Sequence, residues 1–433
     1  MKKKYLLIKN KANIFINYLY VFLIFLIPFD KVILFWIPPV IALLWLIEGN
    51  FKQKWEILKK CKIFWILIIF LVAMLISTII NPPYNQVLGN KFYKNAFDYI
   101  FRFYFLSFSL IFIAITNLSR ETIKKMIYTF ILAMLISEVI SYLMFFNIIK
   151  KTHQYFSPFI WHSFYTTFLA FIVILLIDNF FKIKNKYLKI IDFLFILTAT
   201  TNIFVNGGRI GQFTFAVLIL FYLGYKFKKS LKVIFLGIII LPLIYILSYK
   251  FSPVFKSRMN QTFNTLYLLK KNSNSADFYK TSFGNRVLMW KICLSDFKYN
   301  FFIKKLLFGN GFGKSRMEYI KIRNKYFNKY KFIYRYNHPH NMYIYLLFNG
   351  GIITLGIYLY ILFLFFKLNF FIYDIYAKIF GLTMCLLSFT EDAIIRGYAI
   401  LFFVVFTGIF YSYRRIKLFS TCYETSNIHR DSV

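Results

Sequence analysis

Apolar residues in this chain fall in runs of membrane length, separated by short polar segments. A bilayer core takes about twenty apolar residues per helix. Runs of that kind lie near 13–29, 32–48, 63–80, 99–117, 126–149, 158–179, 188–206, 210–227 and 231–249. Three more follow a long polar gap, near 351–367, 371–389 and 394–412. The pattern predicts an all-α polytopic membrane protein of about 12 transmembrane helices, with the long polar segment between helices 9 and 10. Three regions follow: 1–249 with nine helices, 250–350 as the polar segment, and 351–433 with the last three helices and a tail. Pro38-Pro39 inside the second run predicts a kink or an irregular stretch. Asn349-Gly350-Gly351 predicts a break between a short helix after His340 and the tenth span.

The positions of lysine and arginine orient these helices. Basic clusters at 2–11, 52–62, 120–125, 182–189 and 226–232 alternate with connections that hold few. Positive residues favour the cytoplasmic side of short loops. Both termini are therefore expected in the cytoplasm, with the 250–350 segment outside. No small-residue cleavage site follows the first run, so it reads as a retained helix.

The polar segment reads as structured. Asn285 is a plausible helix N-cap, and Val287, Trp290, Leu294 and Phe297 fall on one helical face after it. Residues 307–313 (Leu-Phe-Gly-Asn-Gly-Phe-Gly) read as a tight turn, and 314–333 as helical, basic and aromatic. An amphipathic insert of this kind is expected along a bilayer surface.

Composition narrows the class. The 433 residues are 59% hydrophobic and 23% aromatic, which excludes an ordinary soluble domain. A net charge of +38 raises the question of nucleic acid, but membrane orientation accounts for the basic clusters and no nucleic-acid partner is expected. Cys61, Cys293, Cys385 and Cys422 are scattered, so neither a disulfide framework nor a zinc site is indicated.

Candidate chemistry gathers outside. Residues 250–335 hold nineteen Lys and Arg against Asp277, Asp296 and Glu318, a balance that suits an anionic substrate such as a lipid pyrophosphate, or simply anionic headgroups. In the connection Asn206-Gly207-Gly208-Arg209, the glycines permit close approach of backbone amides to a phosphate. Arg209 there suits bidentate pairing with phosphate, or snorkelling to headgroups. Arg286 is expected in the first turn of the helix after Asn285, as an anion site or as a solvated arginine. In Asn337-His338-Pro339-His340-Asn341, an imidazole suits proton abstraction from a sugar hydroxyl. A plain cap for the next helix is the alternative, with Pro339 in its first turn. No metal site is signalled: His153 and His162 are the only other outer or near-outer histidines, and Asp98, Glu391 and Asp392 join the short roll of outer acids. Arg102 and Glu138 lie inside apolar runs, as functional candidates or as partners of each other.

Taken together, these residues resemble the O-antigen ligase family. Three features carry the likeness: the arginine turn at 206–211; Arg286 and Trp290 followed by the glycine turn at 307–313; and His338-Pro339-His340-Asn341 followed by Gly350-Gly351. In the family pattern of histidine, polar residue, nine residues and GxxGT, His340, Asn341 and Gly351 fit, while Thr354 stands at the second glycine. The resemblance implies a GT-C-like glycosyltransferase of the bacterial inner membrane, with a periplasmic active site and neither metal nor other cofactor. It implies transfer of a glycan from undecaprenyl pyrophosphate to the lipid A–core in lipopolysaccharide biosynthesis. By that likeness Arg209 and Arg286 hold the pyrophosphate and His340 acts on the acceptor hydroxyl by inverting attack. His338, Asn341 and Gly208 support them. Substrates and membrane lipids are then the expected partners. A polysaccharide polymerase and a protein O-oligosaccharyltransferase are the related alternatives. A transporter or flippase is disfavoured because the polar residues concentrate in one outer segment and the chain has no internal repeat.

Overall fold

The structure is a computed structural model that describes residues 2–29, 33–81, 104–151, 155–299, 302–335, 338–368, 374–395 and 397–428. Arg102, Asp98, His153 and Asn337, named above, lie outside the described residues. Among the described residues every regular element is helical. Each apolar run meets a helix: α1 (Lys2–Leu26), α2 (Ile33–Glu48), α4 (Lys62–Ile80), α5 (Leu106–Asn117), α6 (Arg120–Phe145), α7 (His162–Phe180), α8 (Lys186–Val205), α9 (Arg209–Lys226) and α10 (Leu231–Phe251). The last three runs meet α16 (Met342–Lys367), α17 (Asp374–Ser388) and α18 (Gly397–Ile428). Of these, α4, α6, α7, α8, α10, α16 and residues 397–417 of α18 are long and apolar enough to cross a membrane, seven helices among the described residues. A short α3 (Phe51–Lys59) joins α2 to α4. Helix α2 runs through Pro38 and Pro39 without a break, against the expectation of an irregular stretch.

Aromatic packing centres the bundle on α7 and α18. Phe402 stacks on Phe168 with centroids 4.2 Å apart. Phe406 meets Phe130 and Phe171, each at 5.1 Å. Buried aromatic pairs of this kind add about 0.5–1.5 kcal/mol beyond the area they bury. Helix α7 also fixes the two ends of the bundle. Its first turn lies against Gly208, and 19 residues make it about 28 Å long, close to one bilayer core. At the far end Asp178 takes Lys182, Lys226, Tyr222 and Tyr376 as partners. The lysine-rich connections at 182–189 and 226–232 thus sit at the end of α7 opposite Gly208.

The polar segment folds as α11 (Pro253–Asn272), α12 (Ala276–Lys280), α13 (Ser282–Tyr299), α14 (Ile303–Phe308), α15 (Ser315–Tyr326) and a 3-10 turn at Lys331–Arg335. It has a core of its own: Phe278, Leu288, Met289, Ile292 and Cys293 pack with Tyr319, Ile322 and Ile333. The buried face of α13 is therefore Leu288, Met289, Ile292 and Cys293. The expected stripe is turned by about one residue: Val287, Trp290 and Phe297 are its partly buried flank, and Leu294 is exposed. The cap is also one turn earlier than expected. Thr281 Oγ1 accepts from Gly284 N at 3.0 Å, so Thr281 caps α13 rather than Asn285.

Two glycine breaks lock this insert to the bundle. Helix α16 is interrupted at Gly351, with φ 70° and ψ −171°, where the sequence predicts a break. The break opens the carbonyls of Phe348 and Asn349. They accept from Asn310 N at 2.9 Å and Gly311 N at 2.7 Å, so the 307–313 turn supplies donors the helix lacks. Ser77 of α4 donates to Phe308 O at 2.6 Å and Asn349 O at 2.9 Å, tying in a third element. Thr354, at the second glycine position of the family pattern, donates to Leu346 O and Gly351 O, each at 3.2 Å.

The glycines are required on both sides. A Cβ on Gly309 (φ +64°) stands 2.4 Å from the Asn349 carbonyl carbon, and one on Gly351 stands 2.2 Å from Leu307 O. Gly309→Ala is expected to cost at least about 1–2 kcal/mol through the left-handed backbone alone, before the clash. Gly356→Ala meets nothing within 4 Å and is the control. Thermal unfolding of the detergent-solubilised variants checks this: the Gly309 variant melts several degrees lower, and the Gly356 variant does not.

Candidate active site

The histidine box lies at the start of α16. Asn341 is the N-cap: its Oδ1 accepts from Ile344 N at 3.0 Å, and its Nδ2 donates to Phe389 O at 2.9 Å. The capping role thus belongs to Asn341, and Pro339 stands before the helix rather than in its first turn. That leaves the imidazoles of His338 and His340 outside the cap. His340 adopts a left-handed backbone, φ 47°, uncommon for a residue with a Cβ. Trp290 of α13 secures the turn by donating from Nε1 to Pro339 O at 3.0 Å.

Two carboxylates between α17 and α18 meet the box. Glu391 and Asp392 are 4% and 3% exposed, so their charge depends on local partners. His338 Nδ1 lies 3.0 Å from Asp392 Oδ2, and His340 Nδ1 lies 3.9 Å from Glu391 Oε2. The other oxygen of Glu391 pairs with Arg286 Nη2 at 3.3 Å. The two imidazole rings stand 4.0 Å apart. One carboxylate therefore joins a guanidinium to an imidazole. The sequence reading placed Glu391 and Asp392 outside but assigned them no role. Two adjacent acids in a chain with only 16 acidic residues were the available signal.

Arg286 falls in the second turn of α13, which begins at Ser282, so the helix N-terminus does not help it bind an anion, contrary to expectation. Its position comes from Glu391 instead. Arg209 opens α9 in the polar connection, outside the apolar stretch 210–227. Its Nη1 donates to Thr262 Oγ1 of α11 at 3.2 Å. Burial, then the positive charges of Arg258 and Arg286, lower its pKa from the ordinary value to about 10. Arg258 lies over the Tyr155 ring, 4.7 Å from its centroid, and Tyr155 meets His162 at 4.6 Å. Arg258 and Arg286 thus each oppose the charge of Arg209, and an anion bound beside it offsets that opposition.

Gly207 and Gly208 serve packing. A Cβ on Gly207 stands 2.5 Å from the Tyr155 ring, and one on Gly208 stands 2.2 Å from Thr166 Oγ1. The room their missing side chains leave is taken by protein, not held open for a phosphate. Glu138 is buried in α6, and its suggested partner Arg102 lies outside the described residues. Cys61, Cys293 and Cys385 are free thiols.

Among the described residues one metal arrangement exists on geometry. His338, His340 and Asp392 each bring a ligand atom within 4.8 Å of the others, close enough to share a divalent cation. No spacing in the sequence signals this set, because its third donor, Asp392, lies far along the chain from the two histidines.

Residues 193–359 match the family model described as O-antigen ligase, a stretch that holds Arg209, Arg286, His338 and His340. No curated protein matches the chain.

The hold of Trp290 on the box is testable without an activity. Trp290→Phe keeps the ring and removes one hydrogen bond, a loss of about 1 kcal/mol. Amide hydrogen exchange across 338–345 is expected to quicken several-fold while α7 stays protected; unchanged exchange at the box shows that the indole does not hold it.

Proposed function

We propose that this chain, which belongs to the O-antigen ligase family through residues 193–359, is the ligase that joins a finished glycan to the lipid A–core. Membership makes it an O-antigen ligase or polymerase-type membrane enzyme acting on lipid-linked glycan. The donor in this reading is a glycan on undecaprenyl pyrophosphate, the acceptor a hydroxyl of the lipid A–core, and the site opens to the periplasm of the bacterial inner membrane. About twelve helices span that membrane, with both termini in the cytoplasm. Lysine-rich connections at the end of α7 away from the Arg209 turn support this orientation.

The observation that carries the reading is the single carboxylate of Glu391 between Arg286 and His340. It sets an anion-binding group beside a proton acceptor. The acceptor hydroxyl attacks the anomeric carbon, and its proton passes to His340. The bond from that carbon to the pyrophosphate oxygen breaks, and undecaprenyl pyrophosphate leaves. Attack opposite the leaving group inverts the anomeric centre. Glu391 stabilises the imidazolium that forms. Arg286 and Arg209 stabilise charge on the departing diphosphate. Asn341, by capping α16, and Trp290, through Pro339, keep the base in place.

His340→Ala is expected to lower transfer by about 10²–10⁴-fold while the protein remains folded in the membrane. Wild-type glycan on lipid A in that variant rules out the role. Arg286→Lys is expected to be nearly as damaging as Arg286→Ala, because an ammonium makes no paired contact with phosphate. In a deletion strain, loss of glycan from lipid A with accumulated lipid-linked polymer marks a ligase; a single repeat on the core marks a polymerase instead. A cysteine at position 340 labelled only from the cytoplasmic side overturns the orientation.

A further inference from the structure

Helix α11 carries a polar face that the proposed chemistry does not use. A shallow, open depression of about 530 Å³ lies over Pro253, Lys256, Ser257, Asn260, Gln261 and Asn264. These positions recur at helical spacing along one side of α11. In a segment with nineteen Lys and Arg, this side holds one lysine, three amides and a hydroxyl. Neutral amides carry donors and acceptors together, which suits sugar hydroxyls, whereas an anion calls for guanidinium or ammonium.

The amides are partly set in advance. Tyr249 OH donates to Asn260 Oδ1 at 2.9 Å, and Arg258 Nη1 donates to Gln261 Oε1 at 3.0 Å. Both carbonyl oxygens are engaged, which leaves the two NH₂ groups to donate. One edge of the face, at Gln261, meets the guanidinium cluster through Arg258. Arg258 connects Gln261 to the Tyr155 ring and acts on Arg209, while Thr262, one residue after Gln261, holds Arg209.

We propose that this amide face of α11 is the subsite for the saccharide of the lipid-diphosphate donor, holding sugar residues next to the diphosphate held by Arg209. It rests on the proposed function for the identity of the lipid carrier. Its recognition chemistry, neutral sugar against neutral amides, stands on α11 itself. The side chains concerned are exposed, so their removal leaves the fold intact.

The test compares two probes on the full-length protein in nanodiscs: undecaprenyl pyrophosphate bearing the oligosaccharide, and the same lipid without sugar. The combined variant Asn260→Ala, Gln261→Ala, Asn264→Ala is expected to bind the glycan-bearing lipid about tenfold more weakly, from the loss of several hydrogen bonds. Binding of the sugar-free lipid stays within about twofold. Equal loss for both probes overturns the proposal, since the face then holds the diphosphate or supports the fold. Unchanged binding of the glycan-bearing lipid overturns it too, as does a rise confined to KM for the acceptor, which places the other saccharide there. If the wild-type protein binds both probes but transfers nothing, the ligase reading fails while the comparison still decides the subsite.

Discussion

The interruption of α16 at Gly351 is the constraint on which the arrangement depends. A broken helix exposes carbonyls, and in a chain this apolar they need partners. The turn at 309–311 supplies two backbone donors, and α4 adds a hydroxyl. Each side reaches the other only because Gly309 and Gly351 lack side chains and take positive φ. The result joins the polar insert, the bundle and the short helix that begins at Met342. The histidine box sits on that short helix, so its position follows from the break.

Charge is arranged with equal economy. The polar insert is strongly basic, yet buried acids stand at two of its junctions. Asp296 takes Lys305 and Asn310 behind the glycine turn, at 2.7 Å each. Glu391 takes Arg286 and faces His340. A buried carboxylate persists only with partners. Glu391 therefore does for the guanidinium and the imidazole what a capping residue does for a helix end: it satisfies them and fixes their direction. Arg258 and Arg286 each also act on Arg209, which bonds Thr262.

The polar segment divides this work among its helices. Helix α13 offers a hydrophobic side to the insert core and holds the box through Trp290. Helix α11 turns Thr262 toward Arg209, and Arg258 links that side to Gln261 at the edge of the amide face. The segment behaves as a small folded unit with its own core, which the turned stripe of α13 makes plain. Leu288 and Cys293 face Tyr319 and Ile322, so packing between α13 and α15 sets the buried side.

The local features were readable in the chain alone. Apolar runs of bilayer length each meet a helix among the described residues, and glycine chemistry marked both breaks, because each depends on residues that are neighbours in sequence. Asn341 and Arg286 were singled out for the same reason, though the setting of Arg286 was misjudged. Thr281 displaced Asn285 as the cap, and Arg286 moved into the second turn. The face α13 buries, the use of Gly207 and Gly208 for packing, and the place of Glu391 were decided only by the tertiary structure. Glu391 lies 105 residues from Arg286, and no local pattern records a pairing over that distance. Sequence carries the periodicity that makes helices, whereas the choice of which buried charge meets which is made when those helices pack.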